Sequence, residues 1–227
     1  MKLKLASVVV GLCILWVCVG RPGAAPAPAA SAYPYPFDDP HLPVGQRVSD
    51  LVARLTLDEK VAQMVNSAPA ISRLGIPAYE WWHEALHGVV EAGSSTVFPQ
   101  TIGLAAAWDA PLHHEIAAAI SDEARAKYDH ALAQGQYSTR YGLDFWAPNI
   151  NIVRDPRWGR GQETYGEDPY LTAALGVAFV SGMQGADPRH PKVIATPKHF
   201  AVHSGPEPLR HRFNAVVSPY DLNDTYL

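Results

Sequence analysis

The stretch from Ala147 to Tyr170, APNINIVRDPRWGRGQETYGEDPY, sets Arg154, Arg157 and Arg160 among Asp155, Glu163, Glu167 and Asp168. Pro156, Gly159, Gly161 and Gly166 shape the backbone between them. Guanidinium forks and carboxylates make strong charge-assisted hydrogen bonds to hydroxyl groups. Aromatic faces such as those of Trp158 and Tyr165 cover the apolar faces of a sugar ring. A polyhydroxylated ligand is the chemistry this loop fits; the alternative is a rigid loop whose arginines pair with its own acids. A second basic pair, Lys198 and His199, ends a short apolar run. Lysine brings a point charge with three donors and histidine adds a directional one, so the pair can hold vicinal hydroxyls. Taken alone, the same two residues fit a surface lysine beside a core histidine.

A third group lies in EWWHEALHGV, Glu80 to Val89. HEALH matches H-E-x-x-H, in which His83 and His87 would share a helix face around zinc with Glu84 as base. Gly88 follows His87 at once and weakens the helix that motif needs, and the longer zinc pattern does not continue, since Val90 and Gly93 stand in its places. Glu84 reads better as a carboxylate at the end of a strand, with Trp81 and Trp82 beside it. His113, His114 and His130 have no ligand spacing.

These groups need elements to hold them. Val44, Val48, Leu51, Val52 and Leu55 fall at helical spacing, and Thr56 to Glu59, TLDE, fits a capping box that opens the next helix. LGIPAYEWWHE has strand-like residues after a proline. A long helix follows WDAP, its stripe being Leu112, Ile116, Ile120, Ala124, Tyr128 and Leu132. LDFWAPNINIV and KVIATPKHF are strand candidates, and NAVV is a further short one. Asp168 caps a helix with Pro169 at its first position and Gly182 or Gly185 near its end. Ser218-Pro219 opens a last helix. Strand and helix alternate at α/β spacing, which predicts a parallel sheet. The arginine loop and Lys198-His199 then both follow strands, where a parallel barrel carries its active-site loops.

Lys2 and Lys4, the apolar run Leu5–Val19 and the small residues after it read as an export signal over residues 1–32. The apolar part is too short for a comfortable membrane span. Both cysteines, Cys13 and Cys18, lie inside it, so the mature chain has no disulfide, thiolate metal site or cysteine nucleophile. The remainder carries 15 basic and 22 acidic side chains, a net −7, which argues against a nucleic-acid partner. Residues 33–44, rich in proline, read as a linker or arm. A (β/α)8 barrel needs about 250 residues, and 195 remain after the signal. Residues 45–227 are therefore expected to be the N-terminal part of an incomplete barrel of (β/α)8 type, extracytoplasmic and free of the membrane once the signal is removed; the alternative is a complete small α/β domain with a frayed last helix.

Together, WWHEALHGV, TVFPQTIGLAAAWD, NINIVRDPRWGRGQETYGEDPYL, KHFAVHSG and SPYDLNDTYL resemble glycoside hydrolase family 3, in particular its β-xylosidase and β-glucosidase branch. The resemblance runs from about Leu51 to Leu227. It implies a (β/α)8-type barrel followed by an α/β sandwich domain, with exo-acting removal of a non-reducing sugar and retention of configuration. Retention uses two carboxyl groups about 5 Å apart, as nucleophile and acid/base. In the family both come later in the chain than KHF, so neither is expected among these residues. The family match assigns glycone binding to Glu84, Arg160, Lys198 and His199. Arg154 and Glu163 brace the loop or touch sugar. No cofactor or metal is implied, and the partner is an oligosaccharide or β-glycoside. WWHEALHG is similar to xylosidase-like members, which favours a pentose, with a glucoside as the alternative. A non-catalytic carbohydrate-binding protein and the zinc protease are the other readings.

Overall fold

The helices begin where side chains can satisfy the first unpaired backbone N–H groups. A computed structural model describes residues 32–136 and 140–227; the export signal assigned to residues 1–32 lies outside the described residues save for Ala32. The chain divides into two units at Arg54. In the first, α1 (Val44–Arg54) packs on a 3-10 turn at Pro36–Asp38. That turn sits within the expected arm and buries Phe37. Arg47 Nε donates to the Phe37 carbonyl at 2.9 Å.

The second unit opens with α2 (Leu57–Ala62), where Thr56 and Glu59 close the capping box. Among the described residues four strands follow, each two residues long: β1 (Ser67–Ala68), β2 (Tyr79–Glu80), β3 (Asp144–Phe145) and β4 (Ile194–Ala195). Between them lie α3 (Thr101–Ala105), α4 (Ala110–Ala133) and α5 (Pro169–Gln184), and α6 (Pro219–Asp221) follows β4. Asp109 and Asp168 cap α4 and α5 by accepting from Leu112 N–H and Leu171 N–H at 2.9 and 2.6 Å. NAVV is not a strand.

β3 and β4 pair in parallel, as the α/β alternation predicts, with Asp144 opposite Ile194. β1 and β2 do not: they pair antiparallel, Ser67 opposite Glu80. The reason is the length of their connection. Parallel strands need a crossover of about a dozen residues or more. Residues 69–78 instead double back through a 3-10 turn that ends at Gly75 in the left-handed conformation. Among the described residues the strands form two separate pairs and no closed barrel.

The core lies where α4 and α5 pack on the β3–β4 pair. Ile116, Ala117, Ile120, Ala124, Phe145, Phe179, Met183 and Val193 form it. The ends of the expected α4 stripe, Leu112 and Leu132, are 43% and 40% exposed; Ala117, Ser121 and His113 are buried in their place. The two helices approach closely at Gly182. A Cβ there would sit 2.4 Å from the His114 carbonyl oxygen and 2.8 Å from Ala117 Cβ. Gly182→Ala is therefore expected to destabilise the unit by about 1–3 kcal/mol through overpacking. A thermal melt unchanged by the substitution would show that the helices yield at this crossing.

His113 belongs to this core. Its Nε2 lies 2.8 Å from the Tyr165 hydroxyl, and burial pushes the imidazole down to about 4. The unfolded chain, with a histidine near 6.5, takes up the proton first. Stability is then complete above that value and falls as the pH drops toward 4, by about 3 kcal/mol from this residue. Urea midpoints measured across this window should fall more steeply for the wild type than for His113→Gln. Equal acid slopes would remove His113 as the cause.

Candidate functional site

Three chain segments reach one place, two of them because β3 and β4 run parallel and release their loops at the same end. β3 and β4 run parallel, and the pairing continues past their ends through an Asn149–Lys198 bridge. Ile150 N–H donates to the Lys198 carbonyl at 2.8 Å. The segment after β2 is tied to the end of β3 by Trp146 N–H, which donates to the His83 carbonyl at 2.9 Å. Glu84, the arginine loop and Lys198 are thereby brought together from residues far apart in sequence.

Lys198 Nζ lies 2.8 Å from both carboxylate oxygens of Glu84. Beside this pair, Arg160 grips Glu163: Nε lies 2.9 and 3.0 Å from its two oxygens, and a terminal nitrogen is 2.5 Å from one of them. Arg160 also donates to His199 Nε2 at 3.0 Å. The two groups share one field, since Glu84 helps to raise Arg160 and Lys198 helps to lower Glu163. Burial pushes the Glu163 carboxyl up, but the hydrogen bonds and charge of Arg160 outweigh it and leave the group below the usual range. Arg160 is raised chiefly by its bonds to Glu163. His199 is pushed down to about 4, first by burial and then by Arg160, His203 and Lys198.

The donor count shows what is left for a ligand. A guanidinium has five N–H groups; three of Arg160's point at Glu163 and His199, and two have no protein partner among the described residues. Two of the three ammonium hydrogens of Lys198 go to Glu84, leaving one. The Glu84 carboxylate keeps lone pairs to spare. Donors and an acceptor side by side are the pattern that vicinal hydroxyls require.

The expected site residues fall into two groups. Glu84, Lys198, Arg160, His199 and Glu163 converge. Arg154 turns elsewhere, donating to Ser204 Oγ at 2.9 Å and lying 5.5 Å from the Tyr226 ring centre. Pairing within the loop holds for Arg160 with Glu163 and for Arg157, which lies on Asp155 at 2.8 Å. Trp158 and Tyr165 are a correction: only 6% and 2% exposed, they offer no face to a ligand. Trp158 packs edge-on against His203, and Tyr165 is held by His113. Trp81 and Trp82 are both half-exposed, and Trp82 stacks on Trp146 at 5.2 Å between ring centres.

HEALH is not helical, which removes the geometry its zinc reading needs. His83 is buried, and its Nε2 accepts from Gly142 N–H at 3.0 Å. His87 Nδ1 donates to the Phe98 carbonyl at 2.9 Å. Two residues outside the sequence assignment matter here: Asn149 and Asn151 are buried, with Asn149 Nδ2 3.4 Å from Glu163. Their signal is the N-I-N alternation, two amides in an apolar run leaving a strand. A separate cleft of about 450 Å³ is lined by Asn66, Glu80, Trp82, Val90, Glu91 and Arg140.

Residues 46–212 match the family model of the glycosyl hydrolase family 3 N terminal domain. The chain is 46% identical over 217 residues to a xylan 1,4-beta-xylosidase of Xylanibacter ruminicola, covering 94% of this chain and 24% of that protein. It is 47% identical over 212 residues to probable beta-D-xylosidase 7 of Arabidopsis thaliana, covering 85% and 27%. It therefore spans about a quarter of the length of these relatives. Among solved structures it resembles a GH3 exo-beta-xylosidase in complex with a xylobiose aziridine probe: TM-score 0.74, 36% identity, 84% of this chain and 25% of that one. A Bifidobacterium adolescentis GH3 beta-glucosidase matches at TM-score 0.60 and 27% identity, over 77% and 24%. With a family model over most of its length and the motif loops folded onto one site, the chain belongs to glycoside hydrolase family 3.

Proposed function

We propose that this chain supplies the sugar-holding part of an exo-acting, retaining β-glycosidase that removes terminal xylose from β-xylosides. The observation that carries it is that the Glu84–Lys198 and Arg160–Glu163 pairs are electrostatically coupled while Lys198 and Arg160 keep N–H groups without a partner among the described residues. Glu84 accepts from glycone hydroxyls, Lys198 and Arg160 donate to them, and His199 flanks the ring. Arg154 and Glu163 brace the loop. The relatives named as xylosidases support the pentose, and glucosides are the alternative.

In this reading β2, β3 and β4 are staves of a (β/α)8 barrel completed by residues outside this sequence, which also bring the nucleophile and acid/base carboxylates. The protein is exported by its first 32 residues. Nitrophenyl β-xyloside and β-glucoside assays on the full gene product test the reading. Turnover of the xyloside, lost with Glu84→Gln, is expected. A purified full product that binds xylose and hydrolyses neither glycoside would support a non-catalytic sugar-binding protein instead. These 227 residues made alone should turn over neither substrate.

A further inference from the structure

Asn151 is 3% exposed and spends its whole carboxamide on one short stretch of chain. Its Oδ1 accepts from the His199 backbone N–H at 3.0 Å and lies 2.8 Å from His199 Nδ1. Its Nδ2 donates to the carbonyls of His199 and Ala201 at 3.0 and 3.2 Å. The orientation of the amide is forced. A backbone N–H only donates and a carbonyl only accepts, so the atom facing the N–H is the oxygen and the atom facing the carbonyls is the nitrogen.

The consequence passes to the imidazole. An oxygen that faces Nδ1 requires the hydrogen to sit on Nδ1. Arginine has no acceptor, so the Arg160 nitrogen 3.0 Å from Nε2 donates, and Nε2 offers a lone pair. Both contacts are satisfied by one form only, the neutral imidazole protonated at Nδ1. The imidazolium would aim a second N–H at a guanidinium. The charged and titratable groups around the ring reinforce this. Arg160 and Lys198 are cationic, His203 lies 4.6 Å away centre to centre, and the nearby Glu163 carboxylate is already clamped by Arg160.

We propose that Asn151 is a positioning residue of this site: it fixes His199 as an acceptor at Nε2, and His199 in turn fixes the plane of the Arg160 guanidinium. With Glu163 on one edge and His199 on another, the two remaining N–H groups of Arg160 have a set direction. Histidine thus serves here as an acceptor, where the sequence alone suggested a donor. The proposal rests on the reading of the cluster as a sugar site, but its test does not need sugar.

The full gene product with isotope-labelled histidine is examined by long-range proton–nitrogen correlation near neutral pH. The wild type should show His199 with a protonated Nδ1 and a bare Nε2. Asn151→Ala should lose that fixed form, with both nitrogens moving toward averaged positions, and Asn151→Asp should keep the hydrogen on Nδ1 while raising the pH at which the ring takes up a second one. A wild-type ring protonated at Nε2, or at both nitrogens, overturns the proposal whatever the variants do. So does a folded Asn151→Ala chain whose His199 signals are unchanged. A wild type with the expected form that binds no xylose upholds the role of Asn151 and sinks the sugar reading instead.

Discussion

Lys198→Ala is expected to lower kcat/KM of the full gene product on a nitrophenyl xyloside by roughly a hundredfold or more. The ammonium makes charge-assisted bonds to both oxygens of Glu84 and keeps one hydrogen for substrate. Hydrogen bonds to charged groups contribute about 1.5–3 kcal/mol each. Losing the one to substrate, and leaving Glu84 without its counter-ion, gives about 3 kcal/mol of transition-state stabilisation, which is roughly a hundredfold. A donor of this kind helps the chemical step to the degree that its bond strengthens as the ring flattens toward the oxocarbenium-like transition state. The loss should therefore appear in kcat as well as in KM. Lys198 side-chain exposure is 12%, so water does not readily replace the ammonium. Kinetics unchanged on both a xyloside and a glucoside would exclude a substrate contact for Lys198.

Arg160→Ala should cost both stability and function, for a different reason. Removing one member of a buried ion pair strands the other; the penalty is about 3–5 kcal/mol when burial is complete. Arg160 and Glu163 are 17% and 22% exposed in their side chains, so about 2–3 kcal/mol is the expected loss here. Replacing Glu163 by glutamine in the same chain removes the stranded charge and should restore part of it. The single variants and the double variant, compared by denaturant midpoint, give the coupling directly. Additive losses would mean that the pair is solvated and does not organise the site. His199 also changes: without the cation beside Nε2, its ring should take up a proton at a higher pH than in the wild type.

Much of this was readable in the residues. Capping signals placed α2 and α5 because Thr56 and Asp168 act locally on backbone N–H groups three residues away, and the apolar stripe after WDAP placed α4. The convergence of Glu84, Arg160 and Lys198 followed from motif order and from the rule that parallel strands send their loops to one end. What was not legible depends on distance. Whether Trp158 shows a face to solvent is decided by His203, far along the chain, and the loop residue Tyr165 is withdrawn by His113 of α4. The antiparallel β1–β2 pair is set by a short connection that carries no strong periodicity of its own. Asn151 escaped notice because an amide in an apolar run has many uses, and only its four bonds to His199 and Ala201 reveal one.

A crystal structure of the chain with xylose bound tests the central claim most directly. The account predicts ring hydroxyls at hydrogen-bond distance from the Glu84 carboxylate, from Lys198 Nζ and from the unfilled N–H groups of Arg160, with His199 still bonded to Asn151. Xylose lodged instead in the cleft between Glu80, Trp82 and Arg140, with the Lys198 cluster left bare, would contradict it.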